Sequence, residues 1–163
     1  MSQFAIFRVG EEEFGIDIFR VVEILNPIRI FTIPDMPGFL SGVINLRGTV
    51  IPVLDLRKRF NVESKPDKER IIIVWVSGQR VGLYIDSVQE ILDFEEGEIT
   101  APPSLFKGFK PEYLVGLGKK GERVMILLNT DTVLTAQEKM TLKKSRERME
   151  PSVGKEPEKD SEK

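Results

Sequence analysis

Apolar residues fall at positions 4, 6, 7 and 9, then at 14, 16 and 18, with Gly10-Glu-Glu-Glu13 between the two sets. That pattern predicts two strands joined by a turn, Phe4 to Val9 and Phe14 to Ile18, the first partly buried on both faces. Phe19, Val22 and Leu25 have helical spacing, but Val21 and Val22 are poor helix formers, so helix and strand both stay open for this stretch. Pro27, Pro34 and Pro37 punctuate an irregular passage with room for one short strand around Ile28 to Ile33. Gly42 to Gly48 and Thr49 to Leu54 form a hairpin that turns near Arg47-Gly48, and Pro52, lacking an N–H, places its strand at an edge or a bulge. Asp55 caps a short helix through Phe60.

Residues 61 to 70 are polar, contain Pro66 and form a linker. The β-branched run Ile71-Ile-Ile-Val-Trp-Val76 then predicts a strand buried on both sides. Gly78-Gln-Arg80 turns it into Val81 to Ile85. Gly97 to Gly108 is an exposed loop, and Leu114 to Gly118 with Arg123 to Leu128 make a second hairpin. Thr135-Ala-Gln-Glu138 is a capping box that starts a C-terminal helix. From Glu150 to Lys163 the chain is almost wholly charged or polar, too poor in apolar surface to offset its ordering entropy, and is expected to be disordered.

The plan is written twice. Gly15-Ile-Asp-Ile-Phe-Arg-Val-Val-Glu-Ile-Leu25 returns 67 residues later as Gly82-Leu-Tyr-Ile-Asp-Ser-Val-Gln-Glu-Ile-Leu92, identical at six of eleven positions. Phe39-Leu-Ser-Gly-Val43 returns as Tyr113-Leu-Val-Gly-Leu117, and Val50 to Asp55 as Val124 to Asn129, both at an offset of 74. Asn129 thus repeats Asp55 as a cap. Two repeat units, about 10–60 and 71–135, follow from this, with roughly ten short strands in two sets of five. The fold class is mainly β, two small antiparallel barrels, intertwined or tightly packed about a pseudo-twofold axis.

Composition removes most chemistry. There is no cysteine and no histidine, so thiolate nucleophiles, zinc–thiolate sites and the commonest general base near neutral pH are excluded. Asp and Glu number 26 against 24 Lys and Arg, which gives no basic field for nucleic acid. The N-terminus lacks the pattern of a signal peptide and the longest apolar run is six residues, which points to a cytoplasmic protein not inserted in a membrane. No serine sits in a nucleophile elbow. Gly116-Leu-Gly118 lies in a hairpin and is turn geometry rather than a phosphate loop. Glu95, Glu96 and Glu98 lack the spacing of a calcium loop. Arg57-Lys-Arg59 is best taken as a solvated helix face. No catalytic residue, metal site or cofactor is expected.

Protein-binding surface is what remains. Glu23, Glu90 and Arg47 are charges set among apolar residues, and Gly121 stands where Arg47 would align in the second unit. Glu23 and Arg47 can form a structural ion pair, or a hydrogen-bonding spot ringed by Val21, Gly42, Val43 and Leu46, in which the planar guanidinium fork orients a partner's carboxylate or carbonyl.

Gly42-Val-Ile-Asn-Leu-Arg-Gly-Thr-Val-Ile-Pro-Val-Leu-Asp-Leu56 strongly resembles the chemotaxis coupling family, the CheW-like proteins, whose hallmark hairpin carries Asn-Leu-Arg-Gly. The resemblance runs in order from about Gln3 to Leu142, through Gly15-Ile-Asp17, Val21-Val-Glu-Ile24, Val81-Gly-Leu83 with Asp86, and Tyr113 to Leu117. It implies one CheW-like domain over residues 1–149, built of two SH3-like five-stranded barrels. It also implies a non-catalytic adaptor between transmembrane chemoreceptors and the histidine kinase CheA, cytoplasmic and recruited to membrane receptor arrays. The receptor's cytoplasmic tip would dock between the barrels, and one barrel edge would pair with the kinase's regulatory domain. An adaptor of another chemosensory pathway, serving pili, development or second messengers, is the alternative. In that family the residues matching Val21, Glu23, Gly42 and Arg47 are linked to receptor or kinase binding, and Val43 and Asn45 of the same hairpin join them as candidates.

Overall fold

The computed structural model describes residues 2–64, 68–101 and 114–153, with side chains described through residue 144. Its elements are β1 (Ser2–Val9), β2 (Glu12–Asp17), β3 (Val21–Leu25), β4 (Gly42–Leu46), β5 (Thr49–Asp55), α1 (Leu56–Arg59), β6 (Arg70–Val76), β7 (Gln79–Ile85), β8 (Ser87–Phe94), β9 (Ile99–Thr100), β10 (Leu114–Lys120), β11 (Arg123–Leu128) and α2 (Ala136–Val153). Single 3-10 turns lie at Ile18–Arg20 and Glu96–Glu98. The ambiguous stretch from Phe19 is therefore a 3-10 turn followed by a strand. Asp17 starts the turn by accepting the Phe19 amide at 2.9 Å, and the β-branched Val21 and Val22 then favour extension.

Two sheets result, ordered β8-β1-β2-β11-β10-β9 and β3-β6-β7-β5-β4. The orders match under the internal repeat: β1, β2, β8, β10 and β11 correspond to β6, β7, β3, β4 and β5. The barrels are not the sequential repeat units, however. The first takes β1 and β2 from the leading unit and β8 to β11 from the trailing one; the second takes β3 to β5 and then β6 and β7. Each barrel therefore draws strands from both units. Every pairing is antiparallel except two of the four that join the units, β11 with β2 and β5 with β7, which are parallel. Those parallel neighbours come from different units, so each is reached by a long crossover rather than a hairpin.

Side-chain alternation gives each barrel a core of its own and a face for the other. Ile71 and Ile73 join Ile44, Leu46, Ile51 and Val53 inside the second barrel. Phe4, Ile6, Phe94, Met125 and Leu127 fill the first. Ile72, Val74 and Val76 turn the other way and meet Phe7, Phe14, Leu54, Leu83 and Leu128 in a core shared by both barrels. The unbroken apolar run of β6 is thus buried on both sides as its sequence predicts, with only Trp75 half exposed at the strand's end.

Barrel closure is where expectation and structure part. The strand foreseen at Ile28 to Ile33 is reduced to one bridge, in which Phe31 and Val43 exchange both backbone hydrogen bonds, at 2.7 and 2.9 Å. Its counterpart in the first barrel is β9, paired with β10. Pro52 sits one residue before the parallel ladder from β5 to β7 begins at Val53, a stretch where that side of the strand has no partner.

The capping box forms as predicted: Thr135 Oγ1 accepts the Glu138 amide at 3.1 Å, and Glu138 Oε1 accepts the Thr135 amide at 3.0 Å. Helix α2 continues to Val153, four residues into the tail expected to lack structure, and residues 154–163 lie outside those described. Leu142 anchors α2 in the shared core. Leu142→Ala is expected to cost about 2–4 kcal/mol in urea denaturation, because a buried side chain is lost and the barrels flanking the hole cannot close over it.

Candidate functional site

β3 and β4 are the two ends of the second barrel's strand order, and the site is the seam between them. The β4–β5 turn is a two-residue loop of Arg47 and Gly48, with Leu46 opposite Thr49. Both loop residues have positive φ, 51° and 89°, the signature of a type I′ turn. Asn45 Oδ1 accepts the Gly48 amide at 2.9 Å and holds the turn. Arginine in left-handed backbone costs about 1 kcal/mol relative to glycine, so its side chain must compensate elsewhere.

That side chain crosses the seam. Arg47 Nη2 donates to Glu23 Oε1 on β3, joining the two end strands where no ladder connects them. Arg47 remains 67% exposed and Glu23 32%, so the pair is a surface feature whose remaining guanidinium donors face solvent. Of the two readings that these charges among apolar residues left open, the ion pair is present.

The other candidates play different parts. Gly42 is buried against the closure bridge: a Cβ there would stand 2.5 Å from both Ile30 Cγ2 and the Phe31 carbonyl oxygen. Val43 and Leu46 are buried at 5% and 7%, so the expected apolar ring around the charged spot is not theirs to make. Alternation along β4 turns Leu46 into the barrel with Ile44 and sets Val43 on the face of exposed Asn45, where its strand position is bridged by Phe31. Val21 is half-buried against the shared core. The apolar side chains that do reach the surface here are Val22 and Ile24 on β3, and Phe31. Beside them Phe31, Ile33, Val43, Ile44 and Val50 line a groove of about 330 Å³.

Glu90 repeats Glu23 but is not left without an arginine. Arg123, at the start of β11, donates to both Glu90 (2.8 Å) and Glu13 (2.9 and 3.1 Å). Both units therefore pair the repeated acid with an arginine, taken from different positions. Both hairpins are left-handed at the aligned position, Gly121 with φ 61° and Arg47 with φ 51°, so what remains particular to the second barrel is an arginine where the first has glycine. Arg57-Lys-Arg59 is not a solvated face either. Arg57 is held by Asp55 at 3.1 Å and stacks over Tyr84, while Arg59 reaches Glu138 of α2 at 2.9 Å. A helix of one turn cannot keep three consecutive side chains in solvent when two sheets and α2 close around it. Glu98 is committed locally: it accepts the Glu95 amide and the Lys120 ammonium, both at 2.8 Å, which hold its carboxyl below the usual range. Gly116 and Gly118 lie inside β10, paired with β11, and no helix follows to form a phosphate cradle. Among the described residues no helix is long and apolar enough to cross a membrane, and no cluster of acidic side chains has the geometry to hold a metal ion.

Residues 3–138 match the model of the CheW-like domain. Chemotaxis protein CheW of Klebsiella aerogenes is 38% identical over 139 residues, covering 84% of each chain. Protein FrzA of Myxococcus xanthus is 30% identical over 137 residues, covering 82% of this chain and 85% of its own. The crystal structure of the scaffolding protein TtCheW from Thermoanaerobacter tengcongensis superposes with a TM-score of 0.76 at 34% identity, over 84% of this chain and 96% of that one. A paired, strand-exchanged barrel fold, the Asn-Leu-Arg-Gly turn and similarity over most of the chain lead to one conclusion: this protein belongs to the CheW-like family of non-catalytic scaffold proteins.

Proposed function

We propose that the protein couples the cytoplasmic tip of chemoreceptors to the regulatory domain of the histidine kinase CheA, working in the cytoplasm at membrane receptor arrays. The contact surface is the seam of the second barrel, with Val21, Glu23, Gly42, Val43, Asn45 and Arg47. The observation that carries this reading is Arg47 itself. An exposed arginine is kept in left-handed backbone, where glycine is favoured, and is oriented by a carboxylate on the facing strand. Strain of this kind persists where a side chain has work to do.

The roles divide by geometry. Arg47 and Glu23 supply directed hydrogen bonds, Val22 and Ile24 supply apolar contact on the other face of β3, and Asn45, Gly42 and Val43 hold the hairpin and the seam. A charged pair on an end strand that also exposes apolar side chains gives a partner both orientation and desolvated area. A second reading is an adaptor of a different chemosensory pathway using the same surface, since a relative of this chain, protein FrzA of Myxococcus xanthus, does not carry the name CheW. Fold and seam do not separate the two, because specificity resides in the partners.

Reconstitution tests the proposal. Purified protein, mixed with CheA and a receptor cytoplasmic hairpin fragment, is expected to raise kinase activity above that of the same mixture without it. Binding to neither component at tens of micromolar would overturn the coupling role.

A further inference from the structure

β3, which carries Val21 and Glu23, is hydrogen-bonded on one side only, to β6, and that ladder slips between these two residues. The ladder therefore does not by itself fix where the strand begins. Arg20, the residue before β3, reaches across to Asp131, beyond β11 at the end of the other barrel. Its Nη1 donates to Oδ1 at 3.0 Å and its Nη2 to Oδ2 at 2.8 Å, a two-pronged contact that constrains angle as well as distance. Asp131 Oδ1 also accepts the Ser77 amide at 3.3 Å, from the β6–β7 turn. The Asp131 amide in turn donates to Asn129 Oδ1 at 3.0 Å. One carboxylate thus gathers the strand's start, the neighbouring hairpin turn and the end of the opposite barrel. Burial raises the Asp131 carboxyl, but the Arg20 hydrogen bond and the Ser77 amide outweigh it and hold it below the usual range.

The same clamp recurs at the other end strand with its charges exchanged. Asp86, the residue before β8, accepts the Gly10 amide of the β1–β2 turn at 2.7 Å and lies 3.8 Å from Arg57, which follows β5. Arg57 and Asp131 stand at the repeat's offset of 74, and Gly10 and Ser77 at its offset of 67. At each barrel an acid and a base, one before the end strand and one after the opposite barrel, meet over a turn amide. The order of the charges differs, and so does the leading residue's place, since Asp86 stands opposite Phe19 in the repeat and Arg20 opposite Ser87; Arg57 also keeps its hydrogen bonds for Asp55. In both barrels, then, the residue just before an end strand is tied to the segment that follows the other barrel's last long strand.

We propose that Asp131 is a positioning residue for the binding surface, fixing β3 and its Val21 and Glu23 by holding Arg20 rather than by touching a partner. This rests on β3 being part of that surface, so the test has one arm that needs no partner. Amide exchange is measured on the full chain for wild type, Asp131→Asn and the exchanged pair Arg20→Asp with Asp131→Arg. Asp131→Asn is expected to speed exchange of residues 21–25 about tenfold while amides of β7 stay within about twofold, since local opening is separable from global unfolding. Affinity for the CheA regulatory domain, or for a receptor cytoplasmic hairpin, is expected to fall by about the same factor, and the exchanged pair is expected to recover most of both losses.

Unchanged exchange at residues 21–25 in Asp131→Asn would overturn the proposal. So would acceleration spread evenly over both sheets, or an exchanged pair as loose as the single variant. If the wild type binds neither partner, the functional reading fails by itself, and the exchange measurements still decide whether Asp131 anchors β3.

Discussion

Arg47→Gln is expected to lose at least about tenfold in affinity for the receptor hairpin or the CheA regulatory domain while remaining folded, with stability changed by no more than about 1 kcal/mol. Two facts set the small stability effect. The pair is on the surface, with Arg47 67% exposed, so screening and side-chain entropy consume most of its Coulomb energy. Removing arginine also relieves nothing and strands little, because Glu23 can turn to water. A buried pair would instead have cost about 3–5 kcal/mol on losing one partner. Affinity is a different matter, since a guanidinium oriented by Glu23 and then covered by a partner is desolvated only in the complex. Denaturation and partner titration of Glu23→Gln, Arg47→Gln and the double variant form the deciding cycle. Coupling is expected to be small in stability and larger in affinity. Wild-type affinity for both partners in a folded Arg47→Gln variant would leave the ion pair a purely structural role.

Gly42→Val is expected to produce the largest loss of stability at the site, about 3 kcal/mol, from overpacking together with broken backbone bonds. The added Cβ would meet the Phe31 carbonyl and Ile30 Cγ2 at 2.5 Å, and one of these is backbone that cannot swing aside. Relief requires moving the Phe31 strand, which breaks the two hydrogen bonds that close the seam. Gly48→Ala is the control. Its Cβ meets nothing within 4 Å, so only the positive φ of 89° is penalised, at about 1 kcal/mol. Urea denaturation of both variants, with amide exchange at Phe31 and Val43, separates the two mechanisms. Equal stability losses would show that conformation rather than close approach decides Gly42. Any binding defect in Gly42→Val would then report an opened seam, whereas that of Arg47→Gln reports a lost contact.

Local rules were enough for the hairpins. The two-residue turn at Arg47-Gly48, the Asp55 cap and the Thr135 capping box each depend on neighbours a few residues away, and each lies where its residues predict. Glu23 and Arg47 were also legible as a pair, because both interrupt apolar segments that the repeat identifies as strands. The clamp residues were not. Arg20 and Asp131 lie 111 positions apart and belong to no motif. The one available signal was the repeat itself, which sets Asp131 opposite Arg57 and so opposes charges at equivalent positions. The partners of Arg57 and Arg59 are hidden from local sequence for the same reason. A run of three basic residues looks solvated until Asp55, Tyr84 and Glu138 arrive from elsewhere in the chain.

By itself, then, the sequence determined both hairpins, most of the strands, the duplication and the position of a charged turn, while β9 lies in a stretch expected to be loop. These follow from periodicity, turn chemistry and residue inventory, which act over a few positions. Tertiary structure alone decided which strands share a barrel. Leading strands of one unit pair with trailing strands of the other, and nothing local distinguishes that choice from two sequential barrels, since both bury the same faces with the same hairpins. It also decided which apolar residues reach the surface, burying Val43 and Leu46 while exposing Val22 and Ile24. The physical reason is common to both: closing a sheet sets its end strands against each other, and only then does it emerge which side chains face a partner and which face the core.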